Sequence, residues 1–427
     1  MTLNVLIAPS GFKESLAAED VADGIAKGVR RVLPDAQVRC LPMVDGGEGF
    51  TQALVAATGG KLHRVRVTGP LGEEIESHFG ILGGKGPRTA VLEMAAAAGL
   101  RLVPRDRRDP LKTTTFGVGE LIKAALNEGA ERLLIGCGDS GTNDGGAGMA
   151  QALGVGLYNH AGRPLAPGGE HLRHLASIDL DGRDSRIDRV QIDVACNWHN
   201  LLCGPKGVAR VFGPQKGASP EKVALLESAL ETYAGAIESQ LGVPVREIPG
   251  GGASGGLGAG LHALLGARLH PRFEIVDRYL QMDQMLKSAD LVITGEGGID
   301  GQTPRGKIPA EVARRARAYG LPVIALAGTI GRDAEDNLDH GILSYASIVE
   351  GPCSLTEALD QAPDLLVRAA ERTMRLILVG QTLPGQAVKG AGGPGIQRTR
   401  CGSRARARPA SAPSVISSAR PAAVPSR

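Results

Sequence analysis

The feature that most constrains this chain is a repeated unit: a short apolar run, a glycine-rich turn, then a stretch with helical periodicity. LNVLIA (residues 3–8) breaks at Pro9, Ser10 and Gly11. Leu16, Val21, Ile25, Val29 and Leu33 then recur at helical spacing, with Ser15 placed to cap that helix and Pro34 just past its end. A second strand is expected from Val38 to Pro42. The unit returns as RLLIG (132–136), the loop CGDSGTNDGG and the helix AGMAQALG. It returns again at VQIDVA (190–195), DLVITGEG (290–297) and LPVIALAGTI (321–330). GVGELIKAALNEG (117–129) and EKVALLESALETYAGAIESQL read as helices. Only residues 62–92 alternate apolar and polar in the manner of a strand-rich meander. Strands alternating with helices require crossover connections, so the expected class is α/β with largely parallel sheet. No internal repeat is present.

Composition narrows the class further. At 427 residues the chain is long enough for two or three domains. Its 61 glycines are concentrated in turns without a three-residue period, which excludes collagen. No apolar run is long enough to span a bilayer, and the opening MTLNVLIAPSGFKESL lacks the basic start and length of a signal peptide. The six cysteines show no CxxC spacing, which fits reduced thiols and a cytoplasmic protein. His171 and His174 lack a third metal ligand nearby. The net charge of +3 conceals an asymmetry: residues 381–427 hold eight Lys or Arg and no acid, so the body is mildly acidic. That tail, of Gly, Pro, Ala, Ser and Arg, is expected to be disordered. It has no aromatics for stacking on bases, so no nucleic-acid partner is expected; nor is a membrane partner.

Chemistry concentrates in four glycine-rich loops, each read as following a strand: VDGGEGF (44–50), CGDSGTNDGGAG (137–148), PGGGASGGLGAG (249–260) and TGEGGIDGQTPRGK (294–307). In parallel sheets ligands bind at the carboxyl ends of strands. Glycine lets backbone N–H groups approach an anion, and acids beside such loops suit Mg²⁺ shared with phosphate oxygens. Phosphoryl transfer needs this combination. Taken singly, each loop is also compatible with a tight turn, and Ser140, Thr142, Asn143 or Asp144 with a helix cap. Gly301-x4-Gly306-Lys307 is not a P-loop, because Ile308 stands where Mg²⁺ needs a hydroxyl. Gly250, Gly252 and Gly255 fit GxGxxG but do not open a dinucleotide fold. Cys137 has no histidine to pair with and reads as a small buried residue.

Several stretches in order carry a family likeness: VLIAPSGFKESLAAEDVADGI, PDAQVRCLPMVDGGEGF, DSGTNDGGAGMAQALG, VFGPQKGA, GGGASGGLGAG and LVITGEGGIDGQTPRGKIP. Through these the chain resembles the bacterial glycerate kinases of the glycerate 2-kinase type, from residue 5 to about Leu378, with the tail outside. The resemblance implies ATP-dependent phosphorylation of glycerate, typically to 2-phosphoglycerate, with ATP and Mg²⁺. It implies a flavodoxin-like α/β domain built from residues 1–60 and 285–379. A second, restriction-endonuclease-like α/β domain (61–284) would be inserted in it, and 380–427 would be the basic tail. The chain departs from the family pattern at Ser10, Glu14 and Gly298, and at Asn197-Trp198-His199-Asn200-Leu201. These changes bear on the substrate more than on the reaction.

On this reading Asp45 is the candidate base, with Asp144 competing and either able to hold Mg²⁺ instead. Lys13 is the candidate for a phosphate or the substrate carboxylate. Gly46, Gly47, Glu48, Ser140, Asn143, Asn197, Ser254 and Lys307 are candidate substrate- or phosphate-binding residues, and Glu296 and Asp300 candidate metal ligands. The partners are a small hydroxy acid and ATP. The alternatives are a kinase for a related acid such as erythronate or tartronate, or a phospho-ligand binding protein without catalysis.

Overall fold

The computed structural model describes residues 2–12, 15–44 and 46–382. The expected disordered tail, Lys13 and Asp45 lie outside them.

The apolar runs become strands of two separate sheets. The first has five strands in the order Ser344–Ser347, Val323–Ile330, Leu291–Ile299, Asn4–Ile7, Gln37–Cys40, all parallel. Val5 pairs with Leu291 and Glu296 with Ala327. The second has six strands in the order Arg268–Pro271, Gln191–Cys196, Arg132–Cys137, Thr89–Glu93, Glu74–Ile81, Lys61–Thr68. The first four are parallel, and the last two run antiparallel as the meander expected at 62–92. Gly156–Asn159 and Leu175–Asp179 form a small antiparallel pair. The fold is therefore mixed α/β with largely parallel sheets.

Strand burial follows position. Arg132–Cys137 is buried almost throughout, which is why it reads as an unbroken apolar run; Thr89–Glu93, expected within the alternating meander, is instead buried on both faces because it pairs in parallel with Arg132–Cys137. The amphipathic helix Ala18–Val32 buries Val21, Ile25 and Val29 against the first sheet and the long helix Ala362–Thr382. Ser15 does not cap it. The N-cap is Ala17, and the Ser15 hydroxyl donates to the Leu359 carbonyl at 3.1 Å instead.

One core cluster draws on both sheets. Val91, Leu134 and Ala195 of the second share it with Val292, Val323 and Ala325 of the first. Phe50 and Leu54 of helix Phe50–Thr58, and Ile275 and Val276 of helix Arg272–Leu280, complete it. Each Val, Leu, Ile or Phe side chain among them contributes about 1.5–3 kcal/mol by leaving water. The helix Phe50–Thr58 thereby fixes the glycine loop that precedes it.

Candidate functional site

In the first sheet the chain runs on past Ile7 in step with both neighbouring strands. The Ser10 amide and hydroxyl both donate to the Gly295 carbonyl, at 2.8 and 3.2 Å, and Met43 N–H donates to Pro9 O at 2.8 Å. This ties the turn after the first strand to the approach of the 46–49 loop. Glu296 lies inside the strand Leu291–Ile299 rather than in a loop, because pairing continues to Ile299 opposite Ile330. Asp300 follows at the strand end. Its Oδ1 accepts from Gln302 N–H at 2.9 Å and from Lys307 Nζ at 3.3 Å. Partial burial opposes ionisation of this carboxyl, but the Gln302 N–H and the Lys307 ammonium outweigh it and hold the pKa below the usual range. Lys307 also donates to Gly298 O at 3.4 Å.

The 46–49 loop crosses to the second sheet. Gly46 adopts φ +84°, and a Cβ there would lie 2.9 Å from the Ala195 carbonyl oxygen. The loop thus rests on the ends of two parallel strands. Glu48 N–H donates to Asp139 Oδ2 at 3.2 Å, while the exposed Glu48 carboxylate pairs with Arg101. Beneath it, Glu93 ends its strand fully buried. Its carboxylate accepts from Gly49 N–H at 3.1 Å and Thr51 N–H at 2.7 Å, capping the helix Phe50–Thr58. Burial pushes the Glu93 carboxyl up to about 7 against these hydrogen bonds.

The 137–148 loop is organised from within. Asp144 is buried, and its oxygens accept from Thr115 N–H at 2.8 Å, Thr115 Oγ1 at 2.9 Å, Gly146 N–H at 3.1 Å and Gly148 N–H at 3.3 Å. The N-cap of the following helix is Gly146 rather than any of the residues read as possible caps, although Asp144 accepts from the Gly146 and Gly148 N–H groups from two residues upstream. Burial raises its pKa, and the same hydrogen bonds pull against it. Lys216, 2% exposed, enters from the turn Pro214–Lys216. Its Nζ donates to Thr142 O at 2.7 Å, Ser140 Oγ at 2.8 Å and Asn143 Oδ1 at 3.1 Å. Burial lowers the lysine to about 7, with the Asp144 carboxylate opposing.

The 249–260 loop abuts this one. It follows a helix, Pro220–Leu241, and an irregular stretch, not a strand. Ser254, Gly255 and Gly256 all have left-handed φ, at 53°, 72° and 91°. A Cβ on Gly255 would fall 1.9 Å from the Thr142 carbonyl oxygen, so only glycine permits this approach. Gly145 N–H donates to Gly255 O at 3.0 Å.

The structure thus brings Gly46, Gly47, Glu48, Ser140, Asn143, Asp144 and Ser254 into abutting loops around the second sheet's strand ends. Glu296, Asp300 and Lys307 stand at the first sheet's strand end. Asn197 follows the strand Gln191–Cys196, where its Oδ1 accepts from His199 N–H at 3.1 Å. Arg272, at the neighbouring strand end, donates to Gly306 O and so joins the second sheet to the 294–307 loop. Sequence reasoning missed Glu93, Lys216 and Arg272. An acid closing a fully buried parallel strand was a signal for Glu93. Lys216 sits in VFGPQKGA with nothing in its spacing to mark it. Cys137 is buried, and burial holds its thiol far above the reactive range, as a packing role requires.

No group of three or more His, Cys, Asp or Glu side chains is placed to hold a metal among the described residues. Glu296, inside the strand, and Asp300, four residues on at its end, are about 13 Å apart in extended backbone, so the two do not close on one ion; either carboxylate alone suits a Mg²⁺ that takes its remaining oxygens from phosphate and water. No described helix is long and apolar enough to cross a membrane.

Comparison with known proteins gives one consistent answer. The model of the glycerate kinase family matches residues 5–378. A glycerate kinase of Bacillus subtilis (strain 168) is 48% identical over 381 residues, covering 89% of this chain and 99% of that protein. A glycerate 2-kinase of Escherichia coli (strain K12) is 45% identical over 378 residues, covering 88% and 99%. The crystal structure of a Salmonella typhimurium LT2 protein assigned as glycerate kinase 2 superposes with a TM-score of 0.74 at 46% identity, covering 90% of this chain and 100% of that one.

Proposed function

We propose that this chain, which belongs to the glycerate kinase family, transfers the γ-phosphoryl group of ATP to a hydroxyl of glycerate, giving 2-phosphoglycerate. The observation that carries the reading is the convergence of three glycine loops, 46–49, 137–148 and 250–256, over strand ends with Lys216 buried beneath them. Backbone N–H groups at such loops suit anionic oxygens, and a site closed by abutting loops excludes water from the transfer.

Asp45 is assigned to take the proton of the attacking hydroxyl. Asp144 is assigned to hold its loop, since both its oxygens already accept from Thr115, Gly146 and Gly148. Ser140, Asn143, Asn197 and Ser254 are assigned to the hydroxy acid, with Lys13 and Lys307 as phosphate cations. Glu296 or Asp300 would hold Mg²⁺, which when bound would neutralise phosphate charge. The two sheets correspond on this reading to a flavodoxin-like domain (1–60 with 285–379) and an inserted domain (61–284). A cytoplasmic location accords with the free thiols of Cys40, Cys137, Cys196, Cys203 and Cys353.

A second reading, a larger hydroxy acid as acceptor, has one observation in its favour. Trp198 beside Asn197 is 38% exposed at a strand end, a large apolar surface that glycerate alone does not require. A coupled ADP-release assay on the full chain with glycerate, tartronate and erythronate separates the two. ³¹P NMR of the product identifies the phosphorylated carbon.

A further inference from the structure

Lys216 is the one described lysine that is fully buried, and it comes from a turn outside the loop it contacts. A lysine ammonium only donates hydrogen bonds. Its three partners, Ser140 Oγ, Thr142 O and Asn143 Oδ1, therefore all act as acceptors. For Asn143 this settles which end of the amide faces the lysine. The oxygen is held, and the NH₂ group points elsewhere. Asn143 is wholly buried, and its Nδ2 has no hydrogen-bond partner among the described residues. The same holds for the Thr142 hydroxyl, while the Ser254 hydroxyl, on the loop that meets it at Gly255, has only the weakly interacting Cys137 thiol beside it. Buried donors are paired in folded proteins as a rule, and an unpaired one calls for a water, an ion or a ligand to complete it. A buried cation is also a poor stabiliser compared with an apolar side chain of equal size, so its place here calls for a role other than packing.

We propose that Lys216 is a positioning residue for substrate: it pins the Asn143 amide oxygen so that Asn143 Nδ2, with the Thr142 and Ser254 hydroxyls, is left to donate to an oxyanion. This rests on the kinase reading above. The shared chemistry is an anionic oxygen, from either the carboxylate of the hydroxy acid or a phosphate of ATP. Lys216 does not touch substrate; it acts through Asn143.

The test is a double-mutant cycle on the full chain with Asn143→Ala, Lys216→Met and the double variant. KM for glycerate, KM for ATP and kcat are measured separately, with thermal unfolding of each protein. Losing one such hydrogen bond should raise one KM by about tenfold. A rise confined to glycerate identifies the carboxylate, and one confined to ATP the phosphate. Because Lys216 works through Asn143, the double variant should match Asn143→Ala rather than multiply the two effects. Lys216→Arg, which keeps a donor, should recover part of the loss. Multiplying effects, or unchanged KM values in an active Asn143→Ala, overturn the proposal. If Lys216→Met does not fold, Lys216→Arg takes its place in the cycle with Asn143→Ala. A parent protein without turnover defeats the kinase reading instead. Inorganic phosphate binding, followed by the fluorescence of the sole tryptophan, Trp198, then decides. Weaker binding in Asn143→Ala upholds the proposal, and equal binding overturns it.

Discussion

The Glu93 carboxylate holds the Thr51 amide at 2.7 Å, so the last residue of a strand in the second sheet fixes the start of the helix that follows the 46–49 loop. The loop thus has its geometry set at both ends, by Glu93 below and by the Gly46 approach to Ala195 above. The acid is buried, which makes it sensitive to its own ionisation.

Glu93 should give stability a pH dependence. Its folded pKa, raised by burial from 4.5 to about 7, means that the native state binds more protons than the unfolded state in that window. The contribution is fully present below pH 4.5 and is lost as pH rises through about 7. Glu93→Gln cannot ionise. Its melting temperature relative to the parent should therefore be more favourable at pH 8 than at pH 5, and an equal difference at both would contradict the assignment.

Asp144 and Asp45 should separate by phenotype. Asp144→Asn turns one acceptor into a donor facing N–H groups at Gly146, Gly148 or Thr115. The cost is about 1–3 kcal/mol, visible in urea unfolding. Asp45→Asn should instead lower kcat by about 10²-fold or more with any accepted substrate. A fully active Asp45→Asn would remove it as the base.

Gly255→Ala should damage stability and activity together. The left-handed φ alone costs about 1–2 kcal/mol for a residue with a Cβ, and the approach to the Thr142 carbonyl adds to it. Thermal unfolding and kcat/KM measured on one preparation check this. Normal values of both would show that the two loops separate without consequence.

Asp300→Asn should shift the Mg²⁺ titration of activity to higher concentration and leave KM for the hydroxy acid near the parent value. Chelation with EDTA should abolish turnover, and restoring Mg²⁺ should return it. A titration unchanged by the substitution would move the metal away from this strand end.

Much of the architecture was readable from local pattern. Buried parallel strands such as RLLIG and LVITG announce themselves as unbroken apolar runs, and the meander alternates as a half-exposed antiparallel sheet must. The turn at 250–256 defeated local reading because its backbone is set by contact with Thr142, far away in sequence, and no strand leads into it. Glu296, with glycine on both sides, reads as a loop residue from local sequence, yet pairing with the neighbouring strand carries the sheet through it. Lys216 was invisible for a simpler reason. Its significance comes from burial against a loop some 75 residues earlier, which spacing does not encode.

The most direct measurement is ADP release by the full chain in the presence of Mg-ATP and glycerate, with ³¹P NMR of the product. The account expects glycerate-dependent turnover, a new phosphomonoester signal at the second carbon, and its loss in Asp45→Asn. A folded protein that releases no ADP with glycerate, tartronate or erythronate would contradict it.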